Sequence, residues 1–244
     1  GIAILTNPSM NSYMCSRRKV TLQPICMPSR NLNCAIDFLA IVITGFWPVM
    51  SSSSATADTE VISVHGLDAH WNRIVQSVTL TGRVAAILDT PLIRVLPSHN
   101  IGSADLVGNV YITTNGAALT LGVPDTAADV RAMIAIGDNN TQQTMSSIPA
   151  GYTGFLVHRD VSASKGKDVI YKLKVREFGG VFRTRHTLEM NNSTYEHASF
   201  IAEQLPEKTD IEVRAKTDTA TVGVTGVLIL LLVDDDLVTS TAHA

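Results

Sequence analysis

Hydrophobic and polar residues alternate most regularly near residues 167–190. Val169, Tyr171, Leu173 and Val175 fall on one side of an extended chain, and Lys172, Lys174 and Arg176 on the other. Gly179-Gly180 turns the chain, after which Phe182, Thr184, His186, Leu188 and Met190 alternate with Val181, Arg183, Arg185 and Glu189. A period of two on both sides of a Gly-Gly turn predicts a two-faced antiparallel hairpin. Tyr171, Leu173 and Val175 are expected to face inward with Phe182 and Leu188, leaving Lys172, Lys174 and Arg176 in water or at an interface.

Similar segments recur upstream. Val61–Val64 leads into His65-Gly66-Leu67-Asp68, and Ile74–Leu80 alternates until Thr81-Gly82. Val84–Leu88, Leu92–Leu96 and Leu106–Thr113 follow before Asn115-Gly116. This spacing predicts an immunoglobulin-like β-sandwich over 51–123. Pro124-Asp125-Thr126 reads as a connection, which places a domain boundary between Leu121 and Ala128. Beyond it, strands are expected near 130–136, 142–148, 154–161, 167–176, 181–190, 198–202, 210–215 and 222–233. They are enough for a jelly-roll-like β-sandwich over 124–237, with 238–244 as a tail. Residues 1–50 show no strand period and are expected to be an irregular N-terminal segment, disordered or an extension, with residues 1–45 poorly packed against the rest. The predicted class is therefore all-β, with no helix longer than about three turns after residue 55.

At 244 residues the chain can hold two domains with cores. Charged residues make up 17%, below the usual value of about a quarter. That suits either a Thr/Ser surface or one partly covered by other subunits. The net charge of −3 supplies no global attraction to nucleic acid, which is not an expected partner. Cys15, Cys26 and Cys34 are odd in number and lie outside the main body, which argues against a disulfide framework, and their spacing does not fit zinc. Apolar runs at 38–50 and 222–233 are too short to span a bilayer, and Arg17-Arg18-Lys19 is not followed by a convincing cleavage pattern. No membrane association is expected.

Four elements, in order, resemble a family of tailed-bacteriophage proteins common in marine phages and usually assigned to the virion. Ile148-Pro149-Ala150-Gly151-Tyr152-Thr153-Gly154-Phe155-Leu156 is similar to its PAGxTxxL element. Lys165-Gly166-Lys167-Asp168 with Phe178-Gly179-Gly180-Val181-Phe182-Arg183 is similar to its GKD and FGGVFR elements. Leu205-Pro206-Glu207-Lys208-Thr209-Asp210-Ile211 is similar to LPEKTDI. Ile62–Leu80 resembles an upstream segment carrying GLD. The resemblance spans roughly 46–236; Tyr152 stands where a basic residue is usual and Glu177 where Pro is frequent. It implies a virion role and carries over no catalytic residues.

Other constellations read as structure. His65 and His70 flank Asp68, but a turn does not aim both rings at one point and no third ligand is evident. In His158-Arg159-Asp160 the outer two residues share a face without a placed nucleophile. Glu177, Glu189, Glu196 and Glu203 are scattered, and Asp234-Asp235-Asp236 reads as solvated acids ending a strand. Neither a cofactor nor a metal is expected. The charge feature of substance is basic: Lys165, Lys167, Lys172, Lys174, Arg176, Arg183 and Arg185. Like charges side by side repel, so acids such as Asp168, Glu177 or Glu189 must interleave or a partner must supply them. Lys172, Lys174, Arg176, Arg183 and Arg185 form the candidate interaction face.

The expected function is that of a non-enzymatic virion structural protein, a decoration protein of the head or part of the tail or its fibres, assembled in the host bacterial cytoplasm. Its expected partners are copies of itself, as a homotrimer, and other virion proteins. The alternative is a module binding a host receptor or glycan, with Tyr152, Tyr195 and Trp71 as candidate contacts.

Overall fold

The computed structural model describes residues 20–21, 47–54, 57–164, 168–191, 193–217 and 222–240. The three cysteines, Lys165, Lys167 and most of the N-terminal segment lie outside the described residues. The described chain is all-β, with several antiparallel sheets. It divides into two compact units, Ile25–Gln143 (the first) and Gly1–Pro24 with Thr144–Ala244 (the second). Strand β1 (Val20–Thr21) belongs to the second unit.

The first unit contains β2 (Pro48–Ser51), β3 (Val61–Leu67), β4 (Arg73–Thr79), β5 (Ala86–Ile87), β6 (Arg94–Asn100), β7 (Val110–Thr113), β8 (Leu119–Thr120), β9 (Val123–Pro124) and β10 (Val130–Ile134). One sheet has the order β4-β3-β6 and the other β10-β7-β2-β5, while β8 and β9 form a small hairpin. Both larger sheets supply the same core: Ile62, Val64, Val78 and Val95 from one, Val49, Val110, Ile112, Ala132 and Ile134 from the other. Each such Val or Ile side chain, fully buried, contributes about 1.5–3 kcal/mol. Gly66 lets β3 approach its neighbour closely, since a Cβ there would lie 2.5 Å from the Arg94 carbonyl oxygen. Asp58 ties together two loops. Its buried carboxylate accepts the Val107 and Gly108 N–H groups at 2.7 and 3.0 Å, together with the Ser51 hydroxyl.

Two sequence expectations need correction here. Trp47, Val49 and Met50 are buried, and all of β2 is enclosed, so these residues are core and not leader. A strand enclosed on both faces shows no period of two, which is why the pattern passed over it. The division between units falls after Gln143, not at Leu121–Ala128. Pro124 belongs to the β8–β9 hairpin, and β10 returns to pair with β7, Ile134 opposite Val110.

The second unit adds β11 (Met145–Ser147), β12 (Tyr152–Ala163), β13 (Asp168–Arg176), β14 (Arg183–Asn191), β15 (Thr194–Leu205), β16 (Asp210–Lys216), β17 (Gly223–Asp234) and the short helix α1 (Asp235–Ser240). Its two antiparallel sheets have the orders β1-β17-β12-β15 and β11-β16-β13-β14. Inward residues of both sheets meet in two clusters. One contains Leu156, Leu173, Val175, Leu205, Ile211 and Leu230; the other contains Val161, Val169, Tyr171, Met190 and Val224. The Tyr171 hydroxyl donates to the Ser162 carbonyl, and burial pushes its phenol up to about 12. The chain leaves and re-enters this unit on one stretch of β17. Thr21 pairs with Gly223, and the Thr144 hydroxyl donates to the Gly226 carbonyl at 2.9 Å.

The predicted hairpin is present as β13 and β14, with Val169, Tyr171, Leu173 and Val175 buried as expected. Two details differ. Leu173 pairs with His186 but Lys174 pairs with Thr184, so Arg185 is an extra residue in a bulge. Phe182 precedes β14 and is only half-buried, outside the core clusters. A larger irregularity occurs in β15. Leu156 pairs with Glu203 and His158 with Ala198, so four residues, 199–202, stand opposite Val157 alone, and Ile201 is 84% exposed. The expected acidic strand end is partly helical: Asp234 closes β17, while Asp235 opens α1 and accepts the Thr153 hydroxyl at 2.6 Å.

Candidate interaction face

The outward side of β13 carries Lys172, Lys174 and Arg176, which face β16 across the ladder. Lys172 lies opposite Arg214, Lys174 opposite Glu212 and Arg176 opposite Asp210. Directly opposed residues share a sheet face, so acids interleave with the basic row. Asp210 and Glu212 come from β16, while Asp168, in phase with Lys172 on β13, and Glu189, opposite Ile170, lie on the same outward face. Asp210, Glu212, Arg214 and Lys216 alternate with Ile211, Val213 and Ala215, a pattern legible in the sequence once β16 is known to adjoin β13.

Arg176 is a structural residue. Its Nε and Nη2 donate to Asp210 Oδ2 at 2.9 and 2.6 Å, while the Ser147 hydroxyl donates to Oδ1 at 2.5 Å. Beside this pair, Arg214 Nε donates to Glu212 at 2.5 Å. Burial raises the Glu212 carboxyl above its ordinary value, against the opposing pull of Arg214, Lys174 and Arg176. Phe182 covers the row from outside: the Arg176 guanidinium lies 4.5 Å from its ring centroid and that of Arg214 5.6 Å. An exposed Lys172 and a half-exposed Lys174 complete the face.

The other two candidates stand apart. Arg183 lies opposite the buried Val175, on the other side of the ladder from Lys174. Arg185, displaced by the bulge, places Nη2 3.4 Å from Glu177 and Nε 3.8 Å from Glu203. The five basic residues therefore form no continuous patch. At the hairpin turn, Phe178 and Val181 are 67% and 71% exposed, with Lys208 Nζ 5.6 Å from the Phe178 ring centroid.

These positions set the effects of two substitutions. Phe182→Ala is expected to cost about 1–2 kcal/mol, the scale of two guanidinium–ring contacts and partial burial. Lys174→Ala is expected to change stability by less than about 0.5 kcal/mol. Denaturant melts of both variants provide the check, and a loss near 4 kcal/mol for Phe182→Ala would instead require a core position.

The remaining candidates do not converge. Asp68 Oδ1 accepts the His70 and Asn72 N–H groups at 2.8 Å, while His65 lies back in β3 with Nε2 3.2 Å from the Ser63 hydroxyl. Among the described residues no group of three or more His, Cys, Asp or Glu could hold a metal, and no helix is long and apolar enough to cross a membrane. Tyr152 opens β12, whereas Tyr195 pairs with Val161 near its other end and packs on the core, so they share no stacking platform. Trp71 lies in the first unit, in a left-handed turn conformation with the Arg94 guanidinium 4.9 Å from its ring centroid. Comparison with protein-family models, with curated proteins and with solved structures finds no match to this chain.

Proposed function

We propose that this chain is a non-enzymatic structural protein of a bacteriophage virion, either a decoration protein of the head or a component of the tail or its fibres. The carrying observation is the strand order of the second unit. Counting β1 and β11–β17 as strands one to eight, the sheets run 1-8-3-6 and 2-7-4-5. That order supports an eight-stranded jelly roll, an architecture used by viral capsid domains and lectins. For the first unit, two sheets around one core support a second sandwich without specifying an immunoglobulin order. The step from architecture to virion is by analogy, joined to the PAGxTxxL, FGGVFR and LPEKTDI resemblance.

Self-association as a homotrimer accompanies this role. The exposed Phe178–Val181 turn and the modest net charge are compatible with subunit contact. Mass spectrometry of purified particles should find the chain as a regular component, and light scattering of the isolated protein should give about three chains per assembly. Absence from the particles would overturn the virion role; a monomeric mass at micromolar concentration would overturn the trimer.

A further inference from the structure

Between the two core clusters of the second unit, the β14–β15 side carries ionisable groups on inward faces. Arg159 lies opposite Leu228, which belongs to the core, and His197 lies opposite Arg159. Glu203 is opposite buried Leu156, and His186 is opposite buried Leu173. Because opposed residues share a face, Arg159, His197 and Glu203 of one sheet point toward the sheet that carries His186. The rings of Tyr195 and His197 are parallel within 5° at 6.2 Å, which orients the His197 imidazole.

The charges on this side are unevenly matched. Glu203 is engaged by Arg185 at 3.8 Å, and Arg185 also reaches Glu177. Arg159 makes no hydrogen bond or ion pair among the described residues, and its Nε is shielded from solvent without an acceptor. A shielded donor left unpaired is costly, and a guanidinium presents a planar fork suited to an oxyanion. His186 is exposed and His197 partly so, which leaves these imidazoles accessible to a small molecule.

We propose that the β14–β15 side of the second unit binds a compact oxyanion, a carboxylate, sulfate or phosphate group, on Arg159, His186 and His197. Burial and the Arg159 charge hold the His186 imidazole below its ordinary value; His197 and Arg185 act in the same direction and Glu203 opposes them. A bound anion reverses that balance and favours the imidazolium, so affinity rises as the pH falls from about 7.5 to about 6.

The test is thermal melting of the full chain in sodium sulfate against sodium chloride at equal ionic strength. Saturation at millimolar sulfate with a rise of about 3 °C or more, larger at the lower pH, is expected. Arg159→Gln should abolish the saturable rise, while Lys172→Gln, on the outward face, should retain it. A non-saturating effect that persists in Arg159→Gln is general exclusion of sulfate from protein surface and overturns the proposal. If Arg159→Gln fails to fold, His197→Gln is held to the same two outcomes. Acetate and glucuronate then distinguish the source: tighter glucuronate assigns the anion to an acidic sugar, equal binding to a free carboxylate. Failure of sulfate and both carboxylates to bind overturns the site. These outcomes leave the virion reading untouched.

Discussion

Asp210→Ala is expected to destabilise the second unit by about 3–5 kcal/mol, the scale of breaking a buried ion pair from one side. Asp210 is 3% exposed and is the acceptor for Arg176 Nε and Nη2 and for the Ser147 hydroxyl. Without the carboxylate, the Nε and Nη2 groups of a guanidinium held under Phe182 lose this acceptor, and the Ser147 hydroxyl loses its own. The loss should appear as a lower denaturant midpoint with little change in slope. Adding Arg176→Leu should recover part of it, because an apolar replacement of both partners removes the uncompensated charge. A loss below about 1 kcal/mol for Asp210→Ala would mean that the pair behaves as a solvated surface contact.

In the first unit, Asp58→Ala is expected to cost about 3 kcal/mol at neutral pH, since it strands two backbone N–H donors and a hydroxyl around a buried position. Asp58 is 1% exposed. Burial alone would raise its carboxyl pKa, but hydrogen bonds from Ser51, Val107, Ser53 and Gly108 outweigh burial and hold it below the ordinary value. The sign follows from linkage. With the folded pKa depressed, the ionised group's contribution is fully present above the unfolded value of about 3.9 and is lost as pH falls through the folded one. The stability gap between wild type and Asp58→Ala should therefore narrow on acidification from about pH 7 to about pH 3. A gap that widens would contradict the depressed pKa.

Legibility in the sequence followed the reach of each interaction. The inward set on β13 was readable because alternation is a property of consecutive residues, and Val169, Tyr171, Leu173 and Val175 are all buried. Its continuation through β14 failed at Arg185, where one inserted residue changes the phase without leaving a mark in composition. Strict alternation from Leu188 carries Phe182 inward, but the extra residue reverses the phase before it, and two guanidiniums claim its ring. The role of Arg176 was hidden for a different reason: Asp210 is 34 residues away in sequence, and only the pairing of β13 with β16 brings it near. The Arg159–His197 juxtaposition likewise depends on β15 returning to β12. The domain boundary was misplaced because Pro124 marks a tight turn inside a unit as readily as a linker between units.

The position of β17 has a consequence for the order of events during synthesis. It lies between β1 and β12, so neither of those strands has its partner on that side until the chain has been made as far as Asp234. All strands of the first unit are available once Gln143 has emerged. At about 5–20 residues per second, the intervening stretch takes on the order of 5–20 s to appear. During that interval β1 and β12 present unpaired edges while the first unit can already be folded. Closing contacts this distant in sequence is also slow. Kinetic protection of the waiting edges, more than final stability, is then the step at which truncation after β16 would be felt, as aggregation of nascent chains.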